Sequence, residues 1–388
     1  MELFKLTNSH GLTAVITSYG ARVISLSVPD REGVMRDVVL GFDRPEDYLR
    51  ENHLTDFGAV IGRYANRLGN GLINVDGRTI RLPQNNGPHC LHGGPTGWQY
   101  GLFRLLESTD NSLLLELVSP DGDNYFPGTV TAQVRYTLTD TDALDIRYRA
   151  TTDAPTVINM TNHSYFNLNG DGSTTVLNHL LTIDADQYTP IDSTSLPLGP
   201  LDAVQGTPFD FRTSKAIGRD IELQHPQLVN GSGYDHNWVL NAQGDFHRLS
   251  ARLESPATGI VMELRTTEPG LQVYTGNFLD GTISGKQGVS YPRRSAVCLE
   301  TQKFPTAPIV SGPNPMPTSA PASCTKATLS FASPVAERRR ADASMVKTLD
   351  MDTGGALGAR RSVGCLLLAF DEHKQYMAGL HGGRHTGP

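Results

Sequence analysis

Five short stretches of the 388-residue chain gather residues able to move protons or to hold a ligand covered in hydroxyls. They are GRYANR at 62–67 with Asn66 and Arg67, HCLHGG at 89–94 with His92, and TNHSYFNLNG at 161–170 with His163. GYDHNW at 233–238 carries Asp235, His236 and Trp238, and CLETQ at 298–302 carries Glu300. An ordinary carboxylate is ionised at neutral pH while an imidazole is partly protonated, so a Glu and a His on one ligand can act as base and acid. Each stretch also has an ordinary structural reading. Arg67 can pair a surface carboxylate, His92 can cap a turn, Asp235 can make an Asx-turn, and Glu300 can be solvated.

The elements that must position these groups are strands. Read with a two-residue period, Asn159, Thr161, His163, Tyr165 and Asn167 share one face of the stretch from Val157 to Gly170. Ile158, Met160, Phe166 and Leu168 share the other, which predicts a strand lining a wet cavity. Alternation recurs from the start to about residue 302, as in Val130, Ala132, Val134, Tyr136 and Leu138 against Thr131, Gln133, Arg135 and Thr137. Gly-, Asp- and Pro-rich punctuation separates the runs, so an all-β, mostly antiparallel sandwich is expected, with long loops such as 187–213 crossing its surface. Helical signals reduce to Asp43 as an N-cap with Pro45 in the first turn of a short EDYLR segment.

A formal charge of −7 argues against nucleic acid or an anionic membrane as the main partner, and no apolar run is long enough for a membrane span. The N-terminus lacks a basic region, an apolar core and a cleavage site, so a cytoplasmic protein is expected. Four cysteines, Cys90, Cys298, Cys324 and Cys365, form no CxxC pair and read as reduced thiols. His89 and His92 lie three apart with no supporting helical His motif, so no metal is expected. No GxSxG elbow or phosphate-cradling loop is present.

Composition changes near Pro308. Residues 309–388 hold nine Lys/Arg against six Asp/Glu, a net +3, which leaves −10 on residues 1–308. Apart from Thr328–Phe331 and Val363–Phe370 little there can enter a core, so the expected division is a sandwich domain over 1–308 and a basic, Pro/Ser/Ala/Gly-rich, disordered tail over 309–388.

GRYANRLGNG, LHGGPTGW, SPDGDNYFPG, TNHSYFNLNG, ADQYTPID, GTPFDFR, GYDHNW, YTGNFLDG and CLETQ occur in the order seen in the galactose mutarotase (aldose 1-epimerase) family. Residues 1–308 thus resemble that family. The resemblance implies a large antiparallel β-supersandwich, no cofactor, and interconversion of the α and β anomers of free aldohexoses such as galactose and glucose. It implies Glu300 as the base on O1, His163 as the acid on O5, and His92 assisting at the same edge. Asn66, Arg67, Asp235 and Gln272 are implied as sugar ligands. Trp98 and Trp238 are candidates to stack on the sugar, and Tyr165 and Asn167 to support His163. Alternatives on the same fold are a hexose-phosphate epimerase and a catalytically silent sugar binder; a lyase or hydrolase is a third. The partner expected is a small aldose, with the protein a monomer or weak homodimer.

The chain departs from the family at its end, where a segment resembling HPNFPxxxLRPGxxY should follow. Regrouping each residue's last base with the next codon's first two lets PMPTSAPA at 315–322 encode an LRPG-like run. The expectation is therefore that residues after about 308 are read in a shifted frame and that the sheet lacks its C-terminal strand, leaving a neighbour's edge exposed.

Overall fold

The computed structural model describes residues 1–53, 55–170, 172, 174–306 and 323–332, with side chains of the last segment from Lys326 onward. The chain divides into two compact units, Met1–Asp342 and Ala343–Pro388, and every described residue belongs to the first.

Alternating runs become long strands as expected. Val130–Leu138 is buried at every second position, from Val130 to Leu138, with Thr131 to Thr137 outward. Among the described residues it belongs to a nine-stranded sheet. In spatial order the strands are Arg104–Ser108, Ser112–Ser119, Val130–Leu138, Ala143–Thr152, Ser323–Ala332, Val261–Thr266, Ala251–Glu254, Leu180–Ile183 and Lys215–Ala216. A second sheet has six strands, ordered Tyr165–Phe166, Val297–Gln302, Gly270–Tyr274, Asp235–Val239, Gln187–Thr189 and Asp202–Ala203. All pairings within both sheets are antiparallel.

One apolar core joins Val134, Leu144, Leu253, Met262 and Leu329 of the larger sheet to Trp238, Leu271, Val273, Val297 and Leu299 of the smaller. The expected β-sandwich is thus the fold. Burying that many branched side chains between two sheets is the main stabilising contribution, roughly 1.5–3 kcal/mol for each fully buried Val, Leu or Ile.

Three strands of the smaller sheet break the alternation rule in a way that locates the site. Val297–Gln302 and Gly270–Tyr274 are buried at every residue, and Asp235–Val239 at all but the last. Their second face carries Cys298, Glu300 and Gln302, then Gln272 and Tyr274, then Asp235 and Asn237. A polar face removed from water must find partners within the protein or in a ligand.

Four local expectations need correction. Val157–Gly170 is not one strand. Thr161–Asn162 pairs with Val60–Ile61, whereas Tyr165–Phe166 pairs with Val297–Cys298 in the six-stranded sheet. Asn162 Oδ1 accepts from the backbone N–H and hydroxyl of Ser164 (3.1 and 2.6 Å), a local side-chain turn that diverts the backbone at His163. Asp43 caps nothing in the 3₁₀ turn Pro45–Tyr48, whose N-cap is Arg44 without a side-chain bond; the Asp43 carboxylate accepts from Gln287 N–H instead. The loop expected over 187–213 contains two strands of the smaller sheet, Gln187–Thr189 and the edge strand Asp202–Ala203.

The fourth correction concerns the C-terminal region. Ser323–Ala332 lies beyond residue 308 yet forms an interior strand, hydrogen-bonded to Ala143–Thr152 on one side and Val261–Thr266 on the other. Ala327, Leu329 and Phe331 point into the core, while Lys326, Thr328 and Ser330 point outward. The slot expected to stand empty is filled because this short run alternates correctly. The rest of the expected tail, including Val363–Phe370, lies outside the described residues.

Candidate active site

Glu300, Gln272 and Asn237 sit abreast on three adjacent strands, as the register pairs Gln272 with both. One residue pair along, Cys298, Tyr274 and Asp235 form a second row. Two loop segments cover these rows. Asn66 and Arg67 follow Val60–Ile61, and His92 follows the short strand Cys90–Leu91. Asn66 (φ 64°) and His92 (φ 53°) both hold left-handed backbone conformations. Such conformations are costly for residues with a Cβ and persist where surrounding contacts impose them. Gly93 (φ +79°) is needed there, because a Cβ would lie 2.1 Å from Gly62 O.

The structure brings together all seven residues singled out from the sequence. His163 Nε2 stands 3.5 Å from Glu300 Oε1. The His92 and His163 rings meet edge to face at 5.3 Å, and His163 stacks on Tyr165 at 5.0 Å. Gln272 Nε2 donates to Asp235 Oδ1 (2.7 Å), and Arg67 Nη1 lies 3.9 Å from Asp235 Oδ2. Arg67 Nε donates to Asn86 Oδ1 (3.0 Å), and Asn66 Nδ2 to Gln302 Oε1 (3.4 Å). Gln302 Nε2 donates in turn to Asn237 Oδ1 (3.1 Å). Glu300 is 2 % exposed and Asp235 7 %, so neither is a solvated surface carboxylate.

Burial sets the electrostatics. It holds Glu300 well above the usual carboxylate range, with Asp235 and Asp56 adding like-charge repulsion. It pushes His163 below the usual imidazole value, against the attraction of Asp56 and Asp235. His92 is lowered to about 3, again chiefly by desolvation. Its tautomer follows from a hydrogen bond: the Asn66 backbone N–H donates to His92 Nδ1 (3.2 Å), so the ring proton sits on Nε2. His92 is a neutral donor with one face to offer.

Some of these neighbours escaped the sequence reading. Asn237, Gln302 and Tyr274 occupy the site through strand register, and Asn86 comes from a loop, where it bridges to His89 and accepts from Arg67. Asp56 carries no motif at all. One donor atom each of Asp56, His92 and His163 lies within 4.8 Å of the others, as does one each of His163, Cys298 and Glu300. That spacing would admit a cation, yet His92 Nδ1 is already engaged and burial keeps the Cys298 thiol protonated. The mixture of donors, acceptors and one cation suits a ring of hydroxyls better.

Both tryptophans lie in the core rather than at the site. Trp238 is fully buried among Tyr188, Phe209, Phe211 and Tyr234 and donates to Phe209 O (3.1 Å); Trp98 is 2 % exposed and packs over Gly62. Asn167 pins a loop by donating to Thr174 O (2.6 Å) and Ser295 O (2.9 Å), which commits its amide away from the His163 ring.

A carboxylate and an imidazole buried together on the polar face of a two-sheet antiparallel sandwich suit proton exchange with a polyhydroxylated ligand. The family model described as aldose 1-epimerase matches residues 2–329, and the chain belongs to that family. A galactose mutarotase from Bos taurus is 44% identical over 309 residues, covering 79% of this chain and 86% of that protein. An aldose 1-epimerase from Escherichia coli (strain K12) is 39% identical over 307 residues, covering 79% of this chain and 87% of that protein. The crystal structure of an aldose epimerase homologue from C. elegans superposes with a TM-score of 0.77 at 30% identity, over 86% of this chain and 99% of that one. A galactose 1-epimerase from Lactobacillus acidophilus gives 0.74 at 26% identity, over 85% and 94%. The family match runs to residue 329, inside the strand Ser323–Ala332. The chain is accordingly an aldose 1-epimerase by family and by reaction class.

Proposed function

We propose that this enzyme interconverts the α and β anomers of free aldohexoses, galactose and glucose among them, with Glu300 and His163 as its proton-transfer pair. The observation that carries the reading is the 3.5 Å separation of His163 Nε2 from Glu300 Oε1 on a buried polar face. O1 and O5 of a pyranose are bonded to the same carbon, so two groups this close can address both.

Ring opening requires loss of the O1 hydroxyl proton and gain of a proton on O5. Glu300 takes the first and His163 supplies the second. The C1–O5 bond breaks as the C1–O1 carbonyl forms, the aldehyde turns about C1–C2, and closure on the other face reverses both transfers. The pair must therefore hold one proton in total. Burial raises Glu300 and lowers His163, which strengthens the first as a base and the second as an acid. His92 offers only Nε2–H, which makes it a hydrogen-bond donor to the O1/O5 edge rather than a second proton carrier. Asp235, Gln272, Arg67 and Asn66 form a connected polar wall that suits the remaining hydroxyls. No redox change and no external group enters this balance.

We read the protein as a cytoplasmic monomer or weak homodimer, in keeping with free buried thiols at Cys90 and Cys298. No helix among the described residues is long and apolar enough to cross a membrane. Residues after about 308 we read as translated in a shifted frame, with Ser323–Ala332 alternating well enough to enter the sheet all the same; the gene sequence in the neighbouring frame tests this, and a stop codon or nonsense in that frame overturns it.

Polarimetry on freshly dissolved α-galactose tests the activity. Rotation should equilibrate faster with the protein than without, and free hexose should outpace its 6-phosphate. Calorimetric binding of galactose with no rate enhancement would make the protein a silent binder and overturn the proposal.

A further inference from the structure

Besides Glu300 Oε2, the buried polar atoms His163 Nδ1 and Asp56 Oδ1 have no partner among the described residues. They belong to side chains that approach each other, for one Asp56 oxygen lies within 4.8 Å of a ring nitrogen of His163 and of His92. His163 Nε2 faces Glu300. The ring atom left over on His163 is Nδ1. We propose that Asp56 is a positioning residue for the proton-donating imidazole, closing on His163 Nδ1–H and balancing the ring's positive charge once the sugar engages Glu300. This rests on the acid–base reading of Glu300 and His163.

Beside Asp56 stands a buried cation. Arg22 is fully buried, donates Nη1 to Phe57 O (3.0 Å) and Nη2 to Gln99 O (2.8 Å), and leaves Nε without a partner. Asp56 is the foremost carboxylate opposing the cost of burying that guanidinium. The order Arg22, Asp56, His163 thus sets a carboxylate between a fixed cation and an imidazole. A carboxylate that holds one ring nitrogen fixes the tautomer and orientation of the other, and it favours the imidazolium.

The groups facing His163 from every side can be compared. Asp235 is held by Gln272 and Arg67. Glu300 is the pair's base. Arg22 disfavours the imidazolium and His92 is neutral, while Tyr165 stacks on the ring, Tyr274 meets its edge, and the Cys298 thiol is protonated. Asp56 is the carboxylate with an uncommitted oxygen and no role in the proton transfers. Its effect on His163 is in the required direction, opposing desolvation.

Asp56→Asn keeps the shape and removes the charge. The alkaline limb of kcat/KM for galactose, where His163 loses its proton, should move about one pH unit lower, with kcat down about tenfold and KM little changed. Asp56→Glu should restore the limb. An unchanged limb in the Asn variant overturns the proposal, and a raised KM with an unchanged limb makes Asp56 a sugar ligand instead. A second measurement needs no variant. In the unmodified protein, nitrogen-edited imidazole spectra should show His163 protonated at Nδ1, and a neutral ring protonated only at Nε2 overturns the assignment. Absence of any anomer interconversion by the unmodified protein would refute the functional reading separately, since the spectra do not depend on turnover.

Discussion

Glu300→Gln separates the chemistry from the scaffold. The glutamine fills the same volume at the centre of Val297–Gln302, where the glutamate is 2 % exposed and sits beside Gln272 in register. The amide cannot take the O1 proton. Removing a positioned general base costs about 10²–10⁴ in rate, or roughly 3–5 kcal/mol in the barrier. Stability should move the other way. A carboxyl whose folded value stands above 4.5 keeps its proton longer in the native state than in the unfolded chain. As pH rises past 4.5 the unfolded chain ionises first, and the native state loses about 1.4 kcal/mol per pH unit until its own value is passed. The amide does not titrate, so the variant escapes this loss. At pH 7 it should unfold at a higher urea concentration than the parent while equilibrating α-galactose at least a hundredfold more slowly by polarimetry. Activity within tenfold of the parent, or a variant less stable at pH 7, would refute the reasoning.

Four further outcomes follow from the packing. His92, His179 and His236 are each lowered to about 3 by burial, and each accepts a backbone N–H, from Asn66, Leu168 and Asp235 respectively. Below about pH 6.5 the unfolded chain gains protons that the native rings refuse, so stability falls as pH drops from 6.5 towards 3, by about 1.4 kcal/mol per unit for each ring. Urea midpoints at pH 6.5 and 4.5 check this, and equal midpoints would contradict it. Phe331→Ala should cost about 3–5 kcal/mol in urea unfolding, because the ring is 3 % exposed in the two-sheet core. A chain stopped after Ala332 should fold and turn over galactose, whereas one stopped after Thr306 should be insoluble, having bared two interior strand edges. Gly93→Ala should lower the melting temperature and the activity together, since its Cβ would meet Gly62 O at 2.1 Å in a loop that carries His92.

Much of this protein was legible in its residues. Period-two burial in stretches such as 130–138 follows from side chains alternating across a strand, and the apolar members alone require a second sheet to cover them. The seven site residues stood out because their types and neighbours matched a known pattern, and the fold gathers all of them. Their contacts were beyond reach. That Glu300 stands beside Gln272 and Asn237 is a matter of strand register, which depends on pairing between segments tens of residues apart.

Tertiary structure alone decided the rest. The stretch from Val157 to Gly170 reads as one strand, yet its halves join different partners because Asn162 folds back on Ser164 between them. Trp98 and Trp238 look like sugar platforms in a list of residues and are core fillers in space. Asp56 has no motif, and its importance comes from which imidazole and which buried arginine happen to surround it. Ser323–Ala332 lies in a stretch that composition assigned to a tail, but its alternation fits the gap between Ala143–Thr152 and Val261–Thr266. Composition averages over a long stretch, whereas a strand needs only a few correctly alternating residues and two unpaired edges to receive them.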